Sequence, residues 1–415
     1  MGNFSYKNGA LHAEGVNLTA LAERHGTPAY VYSRAAIEAN WRAYADACAG
    51  RDALVCYSVK ANGNLAILNL LARLGSGFDI VSGGELERVI AAGGEPGKVV
   101  FSGTGKRADE MARALEAGIH CFNVESEAEL LRLDEIAGQM SLTAPVSIRV
   151  NPDIDPDTHP YIATGLRGNK FGVDHEEALE IYRLADRLGH ITATGIDCHI
   201  GSQITSTGPY VDAVKKLLAL LGHLEKTGIS VSHIDIGGGL GISYRDETAP
   251  DAAGFAGVIS DLVPARYGII LEPGRSIVGN AGVLLTRVEY LKANREKHFA
   301  VVDASMNDLL RPSLYQAWHD IIPVSERADG AQAEYDVVGP ICETGDFLGL
   351  GRSLSLGPDD LLAVMCAGAY GFSMSSNYNA RPRAVELLVD GERGHVIRER
   401  ETVGQLMAGE KILPA

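Results

Sequence analysis

No two of the six cysteines (Cys48, Cys56, Cys121, Cys198, Cys342, Cys366) stand in a CxxC spacing, and no long cationic stretch occurs. The scattered thiols exclude a disulfide scaffold or a zinc-ribbon framework and point to a reducing compartment, the cytoplasm. A net charge of −16 with a pI near 5.2 excludes the concentrated basic face that a nucleic-acid partner demands. No apolar run reaches the roughly 18 residues of a membrane span. The start, "MGNFSYKNGALHAEGV", has no basic head before an apolar core. Gly2 is followed by Tyr6 where a myristoylation pattern needs Ser or Thr. Low-complexity segments are missing as well.

What is there is a chain of 415 residues, 46% hydrophobic, long enough for two cores. Short β-rich runs alternate with amphipathic ones: "ALVCYSV" (53–59), "FDIVS" (78–82), "KVVFSG" (98–103), "HCFNV" (120–124), "PVSIRV" (145–150), "TGIDCHI" (194–200), "SHIDIGG" (232–238) and "GIILEPG" (268–274). Helical patterns such as "LAILNLLARLG" and "EAELLRLDEIAG" lie between them. Eight such units in about 250 residues predict a (β/α)8 TIM-type barrel, with a doubly wound open sheet as the competing architecture. After residue 280 the runs "GVLLTRVEYLKA", "KHFAVVDAS", "AEYDVVG", "DLLAVMCAGAY", "AVELLVDG" and "HVIRERE" follow with few helices between them, which predicts a mostly β C-terminal domain. The expected division is a barrel over 30–280 and a β domain from 1–29 plus 281–415, with the extended "TPAYVYS" able to join the latter.

Barrel chemistry collects at the C-terminal ends of the strands. There the sequence offers Lys60, Asp79 and Ser82, Arg149 and Asn151, His199 and Ser202, the run Gly237-Gly238-Gly239, and Glu272 with Gly274-Arg275. A strand-end lysine is ordinarily a solvated amine, a glycine run is as often a bare turn, and a lone histidine is often only packed. Together they supply an amine, an anion cradle on the last two strands, a carboxylate and a flat ring, the set that pyridoxal 5'-phosphate requires. Lysine would form the Schiff base, and a carboxylate at the pyridine nitrogen would favour its protonated form.

The motifs "YSVKAN", "FDIVSGGE", "HPYIATG…NKFG", "CHIGSQ", "DIGGGLG", "EPGR", "RPSLYQAWHDI", "GPICETGD" and "MSSNYNARPR" together resemble the diaminopimelate decarboxylases, pyridoxal-phosphate enzymes of the alanine-racemase-like fold (fold type III), in order from about residue 25 to 400. The resemblance implies conversion of meso-2,6-diaminoheptanedioate to L-lysine and CO2, no metal, and a head-to-tail homodimer with a shared active site. It matches Lys60 to the Schiff-base lysine, His199 to the stacking ring and Glu272 to the ring-nitrogen carboxylate. Ser202, Gly238, Gly239, Gly274, Arg275 and Tyr378 match the phosphate contacts, and Asp79 joins the cofactor set. Arg275, Arg311, Tyr315, Glu343 and Tyr370 match the substrate contacts, and Cys342 the proton donor to the carbon that CO2 leaves. Thr344 and Ala380 stand where serine is expected in many relatives.

A substrate with an amino-acid group at each end needs a second recognition site, which arginine supplies for the far carboxylate and Glu343 for the far ammonium. The rival readings are a decarboxylase of the same fold acting on ornithine, arginine or carboxynorspermidine, a racemase, and a non-catalytic pyridoxal-phosphate carrier. A racemase would be expected to place a basic partner at the pyridine nitrogen, where Glu272 stands instead. A carrier would not need Cys342 or Tyr370.

Overall fold

The computed structural model describes residues 4–155, 158–159, 165, 169–327 and 332–414, so most of "HPYIATG" lies outside the described residues. The chain divides into two compact units, one of Asn40–Ser243 with Glu247–Ser276, the other of Met1–Ala39, Tyr244–Asp246 and Ile277–Ala415.

The first unit is a closed parallel barrel. Its strands, numbered here one to eight, are Ala53–Ser58, Gly77–Ile80, Val99–Phe101, Cys121–Val124, Ala144–Asn151, Ile191–Asp197, His233–Asp235 and Gly268–Leu271. Each pairs in parallel with the next, and strand eight returns to strand one through Ile269↔Ala53, so the open-sheet alternative is excluded. Closure leaves the barrel no unpaired sheet edge.

Several of the helices that follow the strands open on a capping side chain at the end of the loop. Asn64 accepts the Ala66 N–H to open Leu65–Arg73, Ser82 accepts the Glu85 N–H to open Gly83–Ala91, and Ser126 accepts the Glu129 N–H to open Glu127–Met140. These caps fix the loops that carry the strand-end residues. Several strands end earlier than their apolar runs suggest. Strand seven stops at Asp235, where Gly237 takes a left-handed φ of 69° and its N–H turns onto the Asp235 carboxylate at 2.8 Å.

The second unit is mostly β. Gly282–Ala293 is its central strand, pairing with Ala29–Ser33, His298–Val302 and Leu361–Val364. The "AYVYS" strand therefore joins this sheet, and Val385–Asp390 lies parallel to its other side. Leu11, Leu18, Val31, Val283, Leu285 and Leu387 fill the core beneath.

Candidate active site

Strand one ends at Ser58, and a tight turn over Val59–Ala61 turns Lys60 toward strand two. The register Ser58↔Asp79 places the two residues side by side, and Lys60 Nζ donates to Asp79 Oδ2 at 2.7 Å. Ser58 Oγ lies 2.8 Å from the same oxygen. Asp79 is fully buried while the lysine side chain is one-third exposed, so the amine can reach solvent and a ligand from an anchored position.

Glu272 stands one residue past strand eight and is buried. Its Oε1 accepts from Asn123 Nδ2 at 3.2 Å. Asp197 and Asp235 crowd it, with one oxygen of each of the three within 4.8 Å of the others. Burial and the neighbouring carboxylates push Glu272 and Asp197 well above the usual carboxylate range, and burial lifts Asp235 to about 6. Burial and mutual repulsion thus raise the proton affinity of the whole group. A hard cation could be ligated at such spacing, but the raised proton affinities favour protons.

The glycine run packs against the Glu272 backbone, whose N–H donates to the Gly237 carbonyl at 2.8 Å. Gly237 and Gly239 adopt φ of 69° and 96°, and a Cβ on Gly238 would come within 2.1 Å of the Glu272 carbonyl. No side chain fits there, because the Cys198, Glu272 and Gly201 carbonyls pack directly against the three glycines. The Gly238 N–H donates to His199 Nδ1 at 3.1 Å, and Tyr210 donates to the Gly238 carbonyl at 3.0 Å. Because Nδ1 accepts, the proton of His199 resides on Nε2. Burial, then Arg149 and Lys60, holds the ring well below its ordinary pKa, so it is neutral. Arg275 Nη2 donates to Ser202 Oγ at 2.9 Å, bringing the "CHIGSQ" and "EPGR" loops together. Among the described residues Asp79 Oδ1 is buried with no hydrogen-bond partner. A side-chain-free cradle, a neutral ring, an amine and an available buried carboxylate oxygen fit a phosphorylated aromatic aldehyde. Lys60, Asp79, His199, Ser202, Gly238, Gly239, Glu272, Gly274 and Arg275 are thus all strand-end residues of the barrel unit.

The remaining expected residues lie in the β unit. Tyr378 donates to Glu343 Oε1, and the Cys342 N–H donates to Asn379 Oδ1 at 3.3 Å, so Cys342, Glu343 and Tyr378 form one exposed group. Arg311 and Tyr315 bound one short helix, Arg311–Tyr315. Arg311 is buried, with its guanidinium 4.5 Å from the Tyr244 ring centre and Nη1 2.7 Å from His319 Nε2. His319 Nδ1 lies 2.8 Å from the Met365 carbonyl, which fixes the tautomer that leaves Nε2 as the acceptor for Arg311. Tyr370 holds a left-handed φ of 55°.

The family of pyridoxal-dependent decarboxylases, through its pyridoxal binding domain, matches residues 34–279. Diaminopimelate decarboxylase of Pseudomonas aeruginosa is 60% identical over 415 residues, covering 100% of both chains. Among solved structures, diaminopimelate decarboxylase of Helicobacter pylori complexed with L-lysine is similar at 43% identity and a TM-score of 0.91, covering 94% of this chain and 98% of that one. That of M. jannaschii in co-complex with L-lysine shares 38% identity at a TM-score of 0.93, covering 99% and 98%. The chain belongs to the diaminopimelate decarboxylase family.

Several residues of this family member escape a reading by motif. Glu125, one residue past strand four, accepts from Gly103 N–H (2.9 Å), Gly172 N–H (3.0 Å) and Arg149 Nη1 (2.9 Å), tying two loops and strand five to one carboxylate. Asn123, on strand four, holds Glu272. Glu85, in the "SGGE" cap, accepts the Val81 N–H at 2.7 Å, and burial lifts it to about 7. The strand-end rule that finds Lys60 also finds Glu125 when applied to strand four.

Proposed function

We propose that the strand-end site holds pyridoxal 5'-phosphate and that the chain decarboxylates meso-2,6-diaminoheptanedioate to L-lysine, the closing step of lysine biosynthesis. The observation that carries this reading is the meeting of Lys60, on Asp79, with the buried Glu272 beside a glycine cradle. Ser202, Gly238, Gly239, Gly274 and Arg275 would hold the phosphate, with Tyr378 as a further contact, and His199 the ring face. When bound, the cofactor supplies an aldehyde that captures an amino group and a ring that accepts the electrons of a departing carboxylate.

The protein's own part is to position and to manage protons. Asp79 anchors the Lys60 amine in place through the 2.7 Å contact. Glu272, whose proton affinity is raised by burial beside Asp235 and Asp197, would face the ring nitrogen, and Asn123 keeps that group oriented. Cys342 carries an exposed thiol suited to return a proton to carbon. Arg311 and Glu343 would recognise the far carboxylate and ammonium, with Arg275, Tyr315 and Tyr370 completing the substrate contacts. The two solved relatives complexed with L-lysine support an amine-tailed product of this kind.

The chain further acts as a cytoplasmic homodimer in which the Lys60 side of one protomer works with the Cys342 side of its partner. Support comes from the exposure of Cys342 and of Tyr378, which is 44% exposed, both reachable by a second chain. No helix among the described residues is long and apolar enough to cross a membrane.

Two experiments test these statements. Purified protein with pyridoxal phosphate should release CO2 from diaminopimelate and yield L-lysine, and leave ornithine and arginine largely intact; preference for ornithine would replace the substrate assignment. Mixing inactive Lys60→Ala and Cys342→Ala protomers through dissociation and reassociation should restore roughly a quarter of all sites by random pairing in an isologous dimer. Tagged heterodimers without recovered activity would place the site within one chain.

A further inference from the structure

At the end of the barrel opposite Lys60, where the strands begin, strands four and seven bring His120, Cys121 and His233 together. One ligand atom of each lies within 4.8 Å of the other two. Cys121 Sγ is 3.9 Å from His233 Nε2, and the His120 and His233 ring centres are 5.3 Å apart. Strands four and seven are not neighbours in the sheet, so the contact crosses the interior.

The space for it is built. Strand six carries a register irregularity between Ala193 and Gly195, and a Cβ on Gly195 would stand 2.0 Å from His233 Nε2. Any other residue there would evict the ring. Burial keeps both imidazoles neutral, lowering His120 and driving His233 to about 3, so each offers a nitrogen lone pair at neutral pH. His233 and Cys121 are buried while His120 is partly exposed, which leaves a route of entry.

We infer that His120, Cys121 and His233 form a binding site for one thiophilic divalent cation of the zinc class in the floor of the barrel, with water as the fourth ligand. Two imidazoles and a thiolate are a donor set that zinc accepts, and an oxygen-seeking ion such as magnesium does not. Zinc–sulfur and zinc–nitrogen bonds of about 2.3 and 2.0–2.1 Å require the ligands to draw in by roughly an ångström, within reach of side-chain rotation. On binding, the Cys121 thiol loses its proton to solvent and sulfur bonds the metal, so each ion bound releases one proton from the site. Without metal, the Cys121 thiol donates to Asn123 Oδ1 at 3.7 Å and lies 3.9 Å from His233 Nε2. The bound ion would staple strands four and seven together and stabilise the barrel, and its ligand Cys121 lies one hydrogen bond from the Asn123 amide that holds Glu272.

The test uses the holoenzyme carrying Cys342→Ser, which removes the exposed thiol from competition. After chelation and dialysis it should bind one equivalent of Zn2+, with a rise in melting temperature, and Co2+ should give the intense visible bands of tetrahedral cobalt. Cys121→Ser and, separately, His120→Ala should each weaken binding at least tenfold and abolish the thermal shift. His120→Ala, at a partly exposed position, keeps the test open should Cys121→Ser fold poorly. Failure to take up stoichiometric metal, a weak octahedral cobalt spectrum, or binding by both variants as tight as in the Cys342→Ser parent would overturn the site.

Discussion

Lys60 Nζ and Asp79 Oδ2 lie 2.7 Å apart, the lysine one-third exposed and the aspartate sealed from solvent at the end of the neighbouring strand. An ion pair with one buried member orients the exposed one, because the buried charge cannot be left uncompensated without a cost of several kcal/mol. Lys60→Ala should therefore lose covalently held cofactor and lower turnover by about three orders of magnitude or more. The visible absorption of the purified variant, read beside its activity, checks this; an unaltered spectrum would assign the cofactor's anchor elsewhere.

Glu272→Gln should retain cofactor but slow decarboxylation about a hundredfold, since a neutral amide holds the proton of a ring nitrogen less well than a carboxylate. Steady-state kcat with the cofactor content measured in the same sample separates slow chemistry from lost binding. Unchanged kcat would remove Glu272 from the chemistry.

Arg311→Ala should reduce kcat/KM on diaminopimelate by about ten- to a hundredfold and affect amine-tailed amino acids less, because only diaminopimelate brings a far carboxylate to pair. The arginine also donates to His319 and lies against Tyr244, so a fall in melting temperature should accompany it. Equal loss on both substrate types would make its role structural.

Glu85→Gln should make the protein more heat-stable above pH 7 and no different near pH 4.5. Burial raises the Glu85 carboxyl from 4.5 in the unfolded chain to about 7 in the fold. The folded state then binds the proton more tightly, so its stabilising contribution is complete below pH 4.5 and is lost as pH rises through 7. The ceiling on the effect is roughly 3 kcal/mol from a shift of this size. Parallel melting curves for the two proteins across this range would show that the carboxyl titrates normally.

The order and type of the elements were legible in the chain itself, because strand formers recur at βα spacing and several loops end in their own caps, Asn64, Ser82 and Ser126 among them. Lys60, His199, the glycine run and Glu272 were legible for a related reason: a barrel strand delivers its next residues to the same rim whichever strand it is. What only the tertiary structure decided is which of these groups touch. Asn123 reaches Glu272 across 149 positions of sequence, and Glu125 gathers N–H groups from loops 22 and 47 positions away. Arg311 finds its acceptor in His319, inside the same "RPSLYQAWHDI" segment, only because the Met365 carbonyl fixes the imidazole tautomer from another strand region. Local pattern carries no information about such pairs, since barrel closure and sheet register, not neighbouring residues, set the distances and the burial that shifts the proton affinities of Glu272, Asp197 and Asp235.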